Sequence, residues 1–446
     1  MTHSFLTMVR DMVWSIPFLS FIVAVGCIVT VALNFIQVRN FCKSWRLVLG
    51  GPDENPKTGA GRKGDMSPFQ AFLNALSVSV GNGSLAGIGA AIYLGGPGVA
   101  FWMFLIGFLC MAIRFAEVFL GVSFALMNSN KGSSLLGGPF LYIKELPFGS
   151  ILATLYAASC LFYGVVSGCA MQCNSISTSV HDVTGISTYI VGVILFALVL
   201  YIMFGGAKRI VIVSEAMVPI KVGLFFSTMI IVLAYHWANL IPSIVLICKS
   251  AFNPSAAAGA VVGLTVQRLF ALSARRTINA TEAGLGTAAI FYSNTASDKP
   301  INDGTTSMLS TFIGNNIVNT MVALAIVASG VWDKGHDGAV AVVAAYQTVF
   351  GAPGGWIVAI LSITFGIGVF VAYGYVTRQC WLYLTNDRYE SVFCFIFASI
   401  AFFGSIAQIQ MVWTIVDLAV AFCLLLNLTA ILYFIPYMRA HVLGNE

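Results

Sequence analysis

Ser79-Val80-Gly81-Asn82-Gly83-Ser84 breaks an apolar run that otherwise extends from residue 67 to residue 93. Two glycines and an asparagine in the middle of so hydrophobic a stretch weaken any helix there. At mid-membrane depth, an opened backbone is tolerated only where it lies inside protein or lines a cavity. The competing reading is a close helix crossing, because small residues also mark packing interfaces between membrane helices. A second glycine-spaced segment favours the opened backbone. Gly259 and Gly263, with Thr265 just after, interrupt a run at 258–274, five runs further on and in the opposite orientation. Paired broken helices in inverted repeats are a common way of building a site near the bilayer midplane. Unwinding leaves amide donors at the start of one half-helix and carbonyl acceptors at the end of the other. The donors suit a carboxylate and the carbonyls an ammonium or a metal cation, so a zwitterion fits both.

The rest of the chain supports a membrane setting. Of its 446 residues 59% are hydrophobic and 9% charged, against roughly 45–50% and 25% in soluble domains. That balance cannot clothe a water-exposed surface. Runs of about 20 apolar residues are needed to cross a bilayer core. Eleven occur, at about 14–36, 67–93, 98–127, 149–180, 187–205, 211–235, 258–274, 305–330, 353–376, 390–407 and 410–435. The first follows Arg10 and Asp11 and is too long for a signal-peptide core, so it reads as a retained span. With the amino terminus outside and the spans alternating, sixteen of the 22 Lys and Arg residues fall in cytoplasmic segments, three outside and three within spans. Such a bias is the positive-inside signal, and it places the carboxyl terminus in the cytoplasm of a bacterial-type inner membrane. The longest polar stretch, Arg39 to Ser67, has loop composition, so residues 1–446 read as one membrane domain with no appended soluble part.

Enzyme chemistry finds little support. The ten cysteines lie mostly within spans with no C-x-x-C pair, and the five histidines are scattered through loops and termini. Glu117, Glu215, Glu282 and Asp417 are dispersed along the chain. No cofactor, nucleic acid or obligate protein partner is expected, and the bilayer is the expected surroundings. A channel would be expected to show rings or repeats of polar pore-lining groups, which a single asymmetric chain with two breaks does not. A sensor that binds the same zwitterion would share the site and differ only in turnover.

Several motifs in one order carry a family resemblance. Residues 81–103, G-N-G-S-L-A-G-I-G-A-A-I-Y-L-G-G-P-G-V-A-F-W-M, and 112–117, A-I-R-F-A-E, are followed by Gly137-Gly138-Pro139-Phe140-Leu141-Tyr142-Ile143 and by Ala170-Met171-Gln172-Cys173-Asn174-Ser175-Ile176. Further on stand Arg276 to Thr287, R-T-I-N-A-T-E-A-G-L-G-T, and Trp413 with Asp417. From about Met66 to Tyr433 the chain resembles the alanine or glycine:cation symporter family, a branch of the transporters with the leucine-transporter fold. The resemblance implies an all-α membrane protein with a five-plus-five inverted repeat. Spans 2–6 (66–235) and 7–11 (258–435) form the two halves, spans 2 and 7 are broken, and the first span (14–36) is peripheral. It implies import of a small neutral amino acid such as alanine, glycine or serine, ordinarily with sodium. The pocket is expected at Ser79, Gly81, Asn82, Gly83, Gln172, Gly263 and Thr265. Gln172 also has a plain reading as an interhelical hydrogen bond.

The cation position departs from the family pattern. Ser84 belongs to the broken segment. Where the family has a threonine pair followed by a tryptophan, gapless alignment puts Gly368-Val369 and Tyr373, so two hydroxyl ligands for sodium are missing. Lys221 stands inside the 211–235 run, on the helix expected near the same position. An intramembrane lysine is expensive and by default functional. Its ammonium stands in for the metal, making the transporter sodium-independent and proton-coupled or exchanging, or it snorkels from the cytoplasmic half of the span to the interface.

Overall fold

The structure, a computed structural model, describes residues 8, 12–50, 64–130, 137–253, 265–407 and 409–444. It is helical, with no strand among these residues beyond a single parallel bridge between Met66 and Thr295. The first helix, α1, spans Ile16–Ala32. Next, α2 (Pro68–Ser79) opens with a capping box between Ser67 and Gln70 and with proline in its first turn, both of which satisfy or remove orphan amides. After the break, α3 (Asn82–Gly95) runs on until Gly96 turns the chain at φ 72°. There follow α4 (Val99–Asn130), α5 (Gly149–Thr184), α6 (Thr188–Met203), α7 (Gly206–Tyr235) and α8 (Trp237–Phe252). The second half holds α9 (Val266–Thr281), α10 (Thr287–Ser293), α11 (Pro300–Ala328), α12 (Ala339–Phe350), α13 (Pro353–Thr385), α14 (Glu390–Ile406), α15 (Ile409–Tyr433) and α16 (Ile435–Val442).

Six of these are long and apolar enough to cross a membrane: α2 with α3, α4, α5, α7, α11 and α13. The pair α15 and α16, bent by 55°, makes a seventh if taken as one span, and α1, α6, α8, α12 and α14 are shorter apolar helices. Ile190, Val193 and Ile194 on α6, and Ile212, Ile230 and Ile231 on α7, are exposed. Large apolar side chains outside and polar ones inside are what a protein solvated by lipid requires. This is a multi-pass membrane protein.

The centre of the bundle is the broken pair α2–α3, 83% of whose apolar stretch lies inside the protein, against 28% for α7. α2 packs on α7, α10, α11 and α13, and α13 also meets α5. Two of the long helices widen into π-helical turns, Gly164–Ala170 in α5 and Phe312–Asn319 in α11, a feature frequent at functional sites. Gly164 and Gly168 lie against the Tyr373 ring, and the absence of a Cβ is what lets that ring seat on α5.

One sequence-based boundary shifts. The run placed at 258–274 is occupied from residue 266 by α9, and the chain stays in the bundle through α10 to residue 293. Arg275 and Arg276 therefore sit within a helix rather than a loop. The pair of cations looked like a loop flank, but Arg275 reaches Asp417 at 3.7 Å and is held inside by that charge.

Candidate functional site

The first break is built as the sequence suggests. Val80 leaves the helix at φ −116°, ψ 86°, and Gly81 is extended, so α2 ends with its carbonyls open and α3 starts with its amides open. The two halves have different partners. At the carbonyl end, Lys221 Nζ donates to Ser77 O at 2.6 Å, to Val80 O at 2.7 Å and to Ser77 Oγ at 3.0 Å. Ser77 Oγ in turn donates to Gly368 O at 2.9 Å. An ammonium at the C-terminal end of a half-helix meets the negative end of its dipole as well as unpaired carbonyls. The Phe365 ring lies 5.8 Å from the same nitrogen, within cation–π range.

Lys221 does not snorkel. It is fully buried, and it belongs to the inward seam of α7 formed by Ser214, Val218, Lys221, Phe225, Met229 and Val232. Those spacings of three and four put it on one face with core residues. Gly368 makes room for it, since a Cβ there would stand 2.9 Å from Lys221 Nζ and 3.0 Å from Ser77 Oγ. Val369 packs against Gly81, where an added Cβ would come within 2.6 Å of its Cγ2. The residues at 368 and 369 that carry no oxygen thus flank the lysine.

At the amide end lie unsatisfied polar groups. Asn82 is 2% and Gln172 3% exposed. Among the described residues neither amide atom of Asn82 has a hydrogen-bond partner, and Gln172 Oε1 has none either. Gln172 Nε2 is tied to Ser167 O at 3.3 Å, and Gln172 Oε1 faces Gly81. Nearly all buried polar groups are paired in native proteins, so a convergent unpaired set calls for bound water or a ligand. Beside it a cavity of about 20 Å³ is lined by Gly83, Gly87, Ser167, Met171, Asn279 and Ala280, among others. Added Cβ atoms on Gly83 or Gly87 would meet nothing within 4 Å. As it stands the cavity holds about one water.

The remaining expected residues divide. Ser79 is buried but bonds its own helix at Ala75 O, 3.0 Å, and Ser84 turns back to Ser79 O at 3.4 Å. Gly263 lies outside the described residues. Thr265 caps the exposed start of α9, accepting from Arg268 N at 3.3 Å, and is not brought to the others. Among the described residues a second interruption lies between α9 and α10, where Glu282, Gly284 and Gly286 take φ of 54°, 88° and 83°. Left-handed backbone at alternate residues breaks a helix and favours glycine. Glu117 Oε2 accepts the Gly284 and Gly286 amides at 2.9 and 3.0 Å. Arg114 pairs with Glu117 Oε1 at 2.8 Å and donates to Thr281 O and to Thr311 Oγ1. Glu117 and Glu282, far apart in sequence, therefore meet at one helix break. Ser77, Val80, Ser167, Gly87 and Asn279 also belong to the site. The Glu-Ala-Gly-Leu-Gly run at 282–286 was the signal for the second break.

An interrupted helix with a capped carbonyl end beside buried unpaired polar groups is the kind of site that membrane transporters build. The chain belongs to the sodium:alanine symporter family, whose model matches residues 1–443. It is 29% identical to an uncharacterized transporter of Haemophilus influenzae over 96% of this chain and 93% of that one. It is also 29% identical to the sodium/alanine symporter AgcS of Methanococcus maripaludis, over 93% of this chain and 90% of that protein. A probable sodium/glutamine symporter of Bacillus subtilis, GlnT, is 28% identical over 95% and 86%. The protein is a transporter of a cation-coupled amino-acid family.

Proposed function

We propose that this chain imports a small neutral amino acid, alanine, glycine or serine, and that the Lys221 ammonium takes the place of a coupling sodium ion. The observation that carries this is Lys221 Nζ on Ser77 O and Val80 O at the end of the first half-helix. A hard cation wants about six oxygen ligands. Here the available oxygens, Ser77 O, Ser77 Oγ and Val80 O, are already engaged by nitrogen, and positions 368 and 369 add no side-chain oxygen. The donor set does not fit sodium while the lysine is present. Energy for import then comes from protons or from exchange against an internal amino acid.

The relatives' names pull two ways, one towards alanine and one towards glutamine. The closeness of Val369 and Gln172 to Gly81 and the small cavity beside Gly83, Gly87 and Met171 support the smaller substrate. Its carboxylate would meet the open amides of α3, with Asn82 and Gln172 as further partners. The proposal also has eleven spans with the amino terminus outside the inner membrane. α2–α3 to α7 form one five-span repeat, α9–α10 to α15 the other, and α1 lies at the periphery.

Equilibrium binding of labelled alanine to the purified protein in sodium-free potassium buffer tests the reading. Binding that is undiminished without sodium, displaced by glycine and not by leucine, is the expected result. Binding that appears only on adding sodium overturns the lysine assignment, and displacement by leucine as effective as by glycine overturns the pocket. A sensor would bind in this way without accumulating label in proteoliposomes.

A further inference from the structure

The second helix break holds two buried carboxyl groups in unlike surroundings. Glu117 is fully compensated, with the Arg114 guanidinium on one oxygen and the Gly284 and Gly286 amides on the other, and Asn427 Nδ2 nearby at 3.4 Å. Glu282, 3% exposed, has only hydroxyls. Tyr163 OH, at 3.2 Å, and Tyr373 OH bond its Oε1, and Thr287 Oγ1 bonds its Oε2 at 3.0 Å. Among the described residues no lysine, arginine or histidine bonds it. The charged or titratable groups that face it are Arg114 from α4, already spent on Glu117, Thr281 O and Thr311, together with Tyr163 from α5 and Tyr373 from α13.

A hydroxyl both donates and accepts, whereas an amide N–H or a guanidinium only donates. Three hydroxyls therefore serve a carboxylate by donating. They serve a carboxylic acid equally well, one of them rotating to accept its proton. Glu117 lacks that freedom, because its donors cannot reverse. A buried carboxyl without a cation is expensive when charged, so a site built to hold both forms is a site built to change between them. The hydroxyls also lead somewhere. Ser167 stands one turn on from Tyr163 at the π-helical widening of α5, and it lines the cavity beside Gly83 and Gly87.

We propose that Glu282 carries the proton that drives uptake, receiving it from the cavity through the hydroxyls of Ser167 and Tyr163. The proton enters from cavity water. Ser167 passes one to Tyr163, Tyr163 passes its own to Glu282 Oε1, and the carboxylate becomes a neutral acid. Release on the other side, once the break between α9 and α10 opens, returns the carboxylate. This rests on the transporter reading above and assigns its coupling ion, leaving Lys221 as a fixed charge.

Proteoliposomes loaded with or without alanine separate net accumulation from exchange. With one proton per substrate, an inward gradient of about one pH unit sustains at most about tenfold accumulation. Wild type is expected to approach that value and to acidify the lumen when alanine is added outside, read with an internal pH dye. Glu282→Gln, which keeps size and hydrogen bonding but fixes one state, is expected to bring accumulation down to about onefold and abolish acidification while alanine counterflow continues. Accumulation by Glu282→Gln equal to wild type overturns the proposal. So does a pH-independent wild type that still transports alanine, whereas a wild type that moves no small amino acid at all overturns the transporter reading instead. Should Glu282→Gln not fold, Tyr373→Phe decides: it removes one hydroxyl and keeps the ring, and it is expected to displace the pH midpoint of uptake. An unchanged profile contradicts Glu282 as the proton carrier.

Discussion

Gly368→Ala is the smallest change that reaches the lysine. A Cβ on residue 368 would stand 2.9 Å from Lys221 Nζ, 3.0 Å from Ser77 Oγ and 3.2 Å from Lys221 Cδ, whereas non-bonded heavy atoms settle at about 3.5–4.0 Å. The lysine must retreat by about half an ångström, yet its nitrogen is anchored on two backbone carbonyls at 2.6 and 2.7 Å. Overpacking of this kind costs about 1–3 kcal/mol, and weakening a hydrogen bond to a charged group adds about 1 kcal/mol of the roughly 1.5–3 such a bond contributes. The expected destabilisation is about 2–4 kcal/mol, read as a lowered unfolding midpoint in detergent. Gly83→Ala is the matched control. Its Cβ meets nothing within 4 Å, and alanine is the better helix former by about 0.5–1 kcal/mol, so stability is held or raised. Repeating Gly368→Ala in a Lys221→Ala background closes the cycle, since with the lysine gone the added methyl has space. A coupling of about 1–3 kcal/mol is expected for groups in direct contact. Gly368→Ala within about 0.5 kcal/mol of wild type, or equally damaging with and without Lys221, would refute the geometry.

Asn82→Ala and Gln172→Ala should each weaken alanine binding by about 1–3 kcal/mol, the worth of a buried hydrogen bond, with normal membrane insertion; unchanged Kd in both moves the site elsewhere. Gly83→Ala, harmless to stability, should reduce affinity for alanine more than for glycine because its methyl enters the cavity, and competition curves for the two substrates check this. Glu117→Gln leaves the buried Arg114 guanidinium without its carboxylate and should destabilise the protein by about 3–5 kcal/mol, whereas Glu215→Gln, at a part-buried contact with Gln70, should change stability far less.

The first break was legible because two glycines and an asparagine together weaken a helix that every neighbouring residue favours. The carbonyl and amide ends followed from helix geometry alone. The break at Glu282 to Gly286 was not singled out in the sequence for a physical reason. Gly259 and Gly263 look like an interruption, while Glu282 and the adjacent Arg275-Arg276 pair look like a span already ended. In the structure those charges are inside because each meets an internal partner: Arg275 meets Asp417, and Glu282 meets two tyrosines and a threonine. Residues 254–264 lie outside the described chain, so Gly259 and Gly263 have no place in this comparison. Lys221 shows the same limit. Burial and snorkelling predict identical sequence, and only the inward seam of α7 separates them. The side chains that complete the site, Ser167 on the π-helical turn and Asn279 on α9, carry no sequence signal of their own, since serine and asparagine are also ordinary interhelical polar contacts in membranes.

The central claim is that the Lys221 ammonium fills the cation position, and alanine accumulation in proteoliposomes under a sodium gradient, compared with the same vesicles holding potassium on both sides, tests it most directly. Wild type is predicted to accumulate alanine equally in the two conditions under a constant pH gradient, and Lys221→Ala to lose that accumulation. Strict sodium dependence in wild type, unaltered by Lys221→Ala, would contradict the account.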